Sequence, residues 1–112
     1  LARIVGPSRA RDIMFSARFM DADEAKEMGL LNFIEQRGEI EPKCIAYAKR
    51  IADNAPLTVQ AAKAAVNAFE RGGREDDLAR VKEMVDICFN SDDYKEGRQA
   101  FGEKRTPRFN GS

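Results

Sequence analysis

From about Glu39 to Glu103 the chain reads as helix after helix, each with more apolar positions than one neighbour can cover. Ile40, Cys44, Tyr47, Ala48 and Ile51 form one stripe, which Asn54-Ala55-Pro56 interrupts. Pro56 or Leu57 then opens a second helix bearing Val59, Ala62, Val66 and Phe69 three and four residues apart. Its alanines, Ala61, Ala62, Ala64, Ala65 and Ala68, permit close approach by another helix. Gly72-Gly73 ends it, and Leu78, Val81, Val85 and Cys88 mark the next, with Met84 and Phe89 widening the stripe. Ser91 is placed to cap the last helix, which runs through Glu103-Lys104 and halts before Pro107. A helix apolar on more than one side needs more than one neighbour. A chain of 112 residues supplies few, so other surfaces, intrachain or intersubunit, are expected to complete the packing.

The amino-terminal stretch is different. Gly6-Pro7 is expected to open the first helix, because the missing N–H of proline is unpaired at that position anyway. Ala10, Ile13, Met14 and Ala17 share a face, with Arg9, Arg11 and Asp12 turned away. Arg18-Phe19-Met20 reads as an extended link. Asp21 is a good N-cap, and Glu24 three residues later completes a capping-box pattern. Gly29 suits a left-handed C-terminal cap. The helix between them has about two turns and would not persist alone in water, so a larger body must hold it. Leu30 to Ile34 reads as a short strand or extended segment. The chain starts at Leu1 without a lead, which is the expectation for a piece of a longer polypeptide.

Composition excludes several functions. Nineteen basic residues balance nineteen acidic ones, so no global positive field exists for nucleic acid. No apolar run approaches a membrane span, and no targeting or lipidation motif is seen. Neither nucleic acid nor membrane is therefore expected as a partner. Histidine is absent, which removes the commonest general base and metal ligand. Cys44 and Cys88 lie far apart on apolar helix faces and are expected as buried free thiols, suited to a reducing compartment. The sequon Asn110-Gly111-Ser112 carries no weight at the end of a chain with no secretory signal.

Catalytic patterns are equally sparse. A serine–histidine–acid triad cannot form, and "GPSRAR" lacks the ending of a P-loop. The acidic clusters Asp21/Asp23/Glu24, Glu75/Asp76/Asp77 and Asp92/Asp93 stand at helix starts, where they offset the helix dipole. No catalytic and no metal-binding residue is assigned. The exception is "EGRQAFGEKRTPRF", Glu96 to Phe109. On a continuous helix, Phe101 shares a face with Lys104, Arg105 and Arg98. A ring beside cations suits a nucleotide, since stacking contributes about 1–3 kcal/mol per base. From spacing alone, ordinary basic residues at a helix C-terminus are the better explanation of the cluster.

The order of three segments is more specific. "LARIVGPSRARDIMFSARFMDADEAKEMGLLNFI", "ADNAPLTVQAAKAAVN" and "SDDYKEGRQAFGEKRTPRF" together resemble the carboxy-terminal part of the enoyl-CoA hydratase/isomerase (crotonase) superfamily. The resemblance implies a mainly α fold: the helical carboxy-terminal region of a crotonase-like α/β spiral, with at most one or two short strands. Residues 1–34 would end the spiral core and residues 35–112 would form the helical trimerisation region. The oxyanion-hole N–H groups and acidic catalytic side chains of that family lie before Leu1. None can be placed on this chain, and by itself it is expected to be inactive. The intact parent would be a lyase hydrating 2-enoyl-CoA thioesters in fatty-acid or related acyl-CoA metabolism. Isomerase, hydrolase, decarboxylase and dehalogenase members share the region, and the residues that separate them lie upstream.

In the matching "AFxEKRxPxF" segment the resemblance gives Phe101 to the adenine pocket and Lys104 to a phosphate of coenzyme A, with Glu103 as a partner for a basic side chain. An acyl-CoA thioester would be the substrate, with no resident cofactor. Partners would be further copies of the chain, in a trimer or a dimer of trimers. The compartment implied is the cytoplasm in a bacterium or the mitochondrial matrix in a eukaryote. One departure stands out: "FSAR" replaces a frequent "TGR", so Ala17 occupies the place of a helix-ending glycine. The competing reading of another class is a freestanding helical interaction module, which the short helix at "ADEAKEM" disfavours.

Overall fold

The structure is a computed structural model that describes all of residues 1–112. It contains six helices: α1 (Ala2–Ser16), α2 (Ala22–Glu27), α3 (Ile40–Ala52), α4 (Pro56–Glu70), α5 (Glu75–Asn90) and α6 (Asp92–Glu103). No strand forms. Leu30 to Ile34 leaves α2 as irregular backbone, because a lone extended segment has no ladder partner. The chain divides into two compact units, Leu1–Lys43 and Cys44–Ser112, with the division inside α3.

In the first unit, helical backbone begins at Ala2, earlier than the Gly6-Pro7 opening expected from the sequence. Gly6 breaks it, at φ 81° and ψ 161°, and Pro7 starts the next segment, where its missing N–H costs nothing. Val5 and Ala10 are buried, whereas Met14 and Phe15 are exposed. The helix ends with Ala17 in the left-handed region at φ 48°. Asp21 caps α2 as expected, its Oδ1 accepting from Glu24 N–H at 2.8 Å. The capping box closes only halfway, because the Glu24 carboxylate is held by Arg18. Gly29 takes the left-handed conformation after α2. Leu30 N–H then reaches Ala25 O and Gly29 N–H reaches Lys26 O, both at 2.9 Å, a Schellman pattern.

The second unit is built on the α4–α5 hairpin. Positions withdrawn from solvent on α4 include Leu57, Ala61, Ala64 and Ala68. Those on α5 are Asp77, Val81, Met84 and Cys88. Both sets recur at intervals of four, three and four, the seam of two helices packed nearly antiparallel. The alanines let the helix axes come close, and Ala61 and Ala68 are fully buried. The stripe expected to pack, Val59, Ala62, Val66 and Phe69, instead faces outward. Helix α4 thus has two apolar faces, and the smaller-residue face makes the intrachain contact. Gly72 and Gly73 are both left-handed, at φ 91° and 66°, a pair of conformations that only glycine adopts without strain. Arg71 spans this turn with two hydrogen bonds to Asp77, at 2.7 and 3.1 Å.

Val5, Ala10, Ala61, Ala68 and Ala100 are the only buried apolar residues. The α3 stripe is exposed throughout. This agrees with the expectation that the helices have more apolar faces than the chain itself covers. The cysteines are a correction: both are free, but Cys44 is exposed and Cys88 is only half-buried. Cys44 belongs to the uncovered α3 stripe, and Cys88 to the α4–α5 seam.

Candidate functional site

Helix α6 and the tail behind it carry the one cluster that the sequence marked for binding. Ser91 caps the helix, its Oγ accepting from Tyr94 N–H at 3.0 Å. Asp92 and Asp93 occupy the first turn, where their charge opposes the helix dipole. The helix stops at Glu103, before the two basic residues that were expected to continue it. Lys104 is left-handed, at φ 54° and ψ 39°. A β-carbon in that region costs about 1 kcal/mol or more. Two backbone bonds close the end: Lys104 N–H to Phe101 O at 3.3 Å and Arg105 N–H to Ala100 O at 3.0 Å.

Because the helix ends there, the i, i+3 and i, i+4 spacing no longer sets where Lys104 and Arg105 point. Arg105 folds back along α6. Its Nη1 and Nη2 donate to the two Glu96 oxygens at 2.6 and 2.8 Å, and its Nε donates to Glu103. Glu96 also accepts from Arg108 N–H at 2.8 Å. These donors hold its carboxyl down to about 2, the Arg105 guanidinium first and the Arg108 N–H second. Arg105 is therefore engaged in shaping the chain. Glu103 partners a basic side chain, as expected from the sequence.

Further along, the tail runs back to the start of α6. The Asp93 carboxylate is only 3% exposed and accepts from Asn110 N–H and Gly111 N–H, each at 2.8 Å. In return, Asp92 and Asp93 N–H donate to Ser112 O at 2.7 and 3.1 Å. The Phe109 ring lies over Gly97, 3.5 Å from where a β-carbon would stand, and Gly111 lies against Pro56 at the start of α4. Sequence reasoning treated Asp93 only as a dipole cap. Its second role had no local signal, because its partners are seventeen and eighteen residues away.

Phe101 is 88% exposed at the end of this braced helix. It borders an open groove of about 490 Å³ lined also by Tyr94, Arg98, Gly102, Phe109 and Thr58. Arg98 stands 6.0 Å from the centre of the Tyr94 ring. Lys104 does not line the groove; it is exposed, and its ammonium pairs with no carboxylate. The structure thus brings Phe101 together with Arg98 and Tyr94, withdraws Arg105, and leaves Lys104 as an unpaired, exposed cation outside the groove. A flat ring and one cation in the groove, whose lining also includes Asp93, are part of what a base joined to phosphate requires. No group of three or more acidic or cysteine side chains is placed to hold a metal ion. No helix is long and apolar enough to cross a membrane.

Solved enoyl-CoA hydratase structures share this fold. An enoyl-CoA hydratase from Bacillus anthracis superposes with a TM-score of 0.84 at 35% identity, covering 99% of this chain and 43% of that one. A probable enoyl-CoA hydratase/isomerase from Mycobacterium abscessus gives 0.83 at 33% identity, over 99% and 43%. The fold is thus the helical part of a crotonase-type enzyme fold. The enoyl-CoA hydratase/isomerase family model matches residues 1–112, and the chain belongs to that family. It is 36% identical to a crotonyl-CoA hydratase of Syntrophomonas wolfei and 35% identical to a probable mitochondrial enoyl-CoA hydratase of Arabidopsis thaliana. It covers 42% and 37% of those proteins, so it spans about two-fifths of the length of its curated relatives.

Proposed function

We propose that this chain is the carboxy-terminal part of an enzyme that adds water to 2-enoyl-CoA thioesters, and that it supplies assembly surfaces and part of the coenzyme A pocket. The single observation that carries the binding role is the exposed Phe101 ring on a helix end fixed at several points, with the exposed and unpaired Lys104 three residues further along the chain. Phe101 stacks on the adenine and Lys104 meets a phosphate. The coenzyme A thioester is substrate, and no resident cofactor is needed. The oxyanion hole, which stabilises the thioester enolate electrostatically, comes from sequence outside this chain. The isolated chain therefore shows no turnover.

Residues 1–34 complete the spiral core, and residues 35–112 form the trimerisation region. The outward stripe of Val66 and Phe69 supports this reading, because contiguous apolar faces in a charged, water-soluble helix pair mark contact surfaces. The assembly is a trimer or a dimer of trimers, in the bacterial cytoplasm or the mitochondrial matrix.

The binding role is tested by Lys104→Ala in the intact enzyme. Affinity for crotonyl-CoA is expected to fall more than affinity for its 3′-dephospho analogue. Equal weakening of both removes the phosphate role. Light scattering behind a sizing column tests the assembly role: a trimer of the 112-residue chain supports it, and a monomer shows that the rest of the enzyme is required.

A further inference from the structure

The basic residues around Phe101 are not equivalent. Arg105 is fully committed: its guanidinium grips Glu96 through both terminal nitrogens and Glu103 through Nε. Glu96 and Glu103 are the carboxylates nearest in sequence to Lys104 on its own helix, and both are occupied. Lys104 is left without a partner. It is also held in a left-handed conformation that a lysine does not choose by itself. The residues after it are tied to Glu96, through the Arg105 side chain and the Arg108 N–H, and Glu103 before it is tied to the Arg105 guanidinium.

We propose that Glu96 is a positioning residue for the phosphate contact: by binding Arg105 and the Arg108 backbone, it aims Lys104 outward and keeps its charge unpaired. This deepens the reading of Lys104 as a phosphate contact and rests on it. Glu96 itself is an anion and touches no phosphate. The proposal therefore makes a prediction opposite in sign to simple electrostatics. Removing a carboxylate near the phosphate site, and releasing the two terminal nitrogens of Arg105 that it holds, should tighten phosphate binding if charge alone mattered. A positioning role requires that it weaken.

The experiment uses the intact enzyme with crotonyl-CoA and crotonyl-3′-dephospho-CoA, comparing KM and kcat for wild type, Glu96→Ala, Arg105→Ala, Lys104→Ala and the double variant Glu96→Ala/Lys104→Ala. Lys104→Ala should reduce discrimination between the two substrates by about tenfold, the loss of one charged hydrogen bond. Glu96→Ala and Arg105→Ala should each reduce it in the same direction, with kcat on the dephospho substrate unchanged. The double variant should discriminate no worse than Lys104→Ala, because both changes act on one contact.

If Lys104→Ala changes nothing, the phosphate reading and the positioning role fall together. If Lys104→Ala reduces discrimination but Glu96→Ala preserves or sharpens it, only the positioning role falls. Additive losses in the double variant also overturn it. A fall in kcat on both substrates alike would show that Glu96 acts on the fold as a whole and not on the phosphate contact. Glu96→Asp, which keeps the charge on a shorter arm, should restore part of the discrimination that Glu96→Ala loses; no recovery would equally count against the proposal.

Discussion

Two helix ends in this chain use the same local device. Helices α1 and α6 both stop at a left-handed residue that is not glycine, Ala17 at φ 48° and Lys104 at φ 54°. In each case the next residue is an arginine that grips two carboxylates: Arg18 holds Asp12 and Glu24, and Arg105 holds Glu96 and Glu103. The difference lies in where the grip reaches. Arg18 joins the end of α1 to the first turn of α2, a six-residue helix without a buried residue of its own. Beyond it Phe19 is fully exposed. Arg105 reaches back into the helix it has just left, and the tail is then secured again at Asp93. An unfavourable conformation is stable in both places because charged hydrogen bonds offset it. Only the second end is self-contained.

The comparison can be broken most severely at Asp93, which has no counterpart behind Ala17. Asp93→Ala strands two amide donors, on Asn110 and Gly111, in a half-buried site. We expect a loss of about 2–3 kcal/mol in urea unfolding, with Asp93→Asn losing less. Glycine at either left-handed position should sharpen it. Ala17→Gly and Lys104→Gly are each expected to gain about 0.5–1 kcal/mol, the relief of the β-carbon less the added freedom of the unfolded chain. A loss at either site would mean that the left-handed turn is not what the arginine stabilises.

Acid should next loosen the second end. The Glu96 carboxyl is depressed from its ordinary value of 4.5 to about 2, so its contribution is complete above about pH 4.5 and is lost as pH falls through about 2. Protection of the Arg108 amide, taken as its exchange relative to an unstructured chain at the same pH, should fall across that window and hold above it. Glu24 is lowered as well, by its hydrogen bonds from Arg18, so the first end should loosen in the same sense. The smallest effect is expected at Lys95, whose pair with Asp92 is 72% exposed on both sides. Lys95→Ala should change stability by less than about 0.5 kcal/mol, since exposed pairs of this kind contribute little. A larger effect would show that surface charge, not the arginine grips, braces α6.

Much of the architecture was legible in the residues. Asp21 and Ser91 as caps, Pro56 as a first helical residue, and Gly29 and Gly72-Gly73 as stops are all local chemistry, and the structure has each of them. Ala17 was marked as a missing glycine, and the turn survives because alanine takes the glycine's conformation. Phe101 and Lys104 were singled out by a resemblance together with spacing on a helix that in fact ends at Glu103.

Local propensity depends on neighbours within a turn or two, so the sequence by itself determined most helix boundaries, though not the start of α1 or the end of α6, and the order of its segments determined the family. It could not rank the two apolar faces of α4, because Val66 with Phe69 and Ala61 with Ala68 satisfy the same periodicity. Tertiary contact decided between them through side-chain size. It also decided what Arg105, Glu96 and Asp93 do, since their partners lie nine to eighteen residues away and meet only when the tail turns back along the helix. A long-range hydrogen bond leaves no period in a sequence, and so the bracing of Lys104 is visible only in three dimensions.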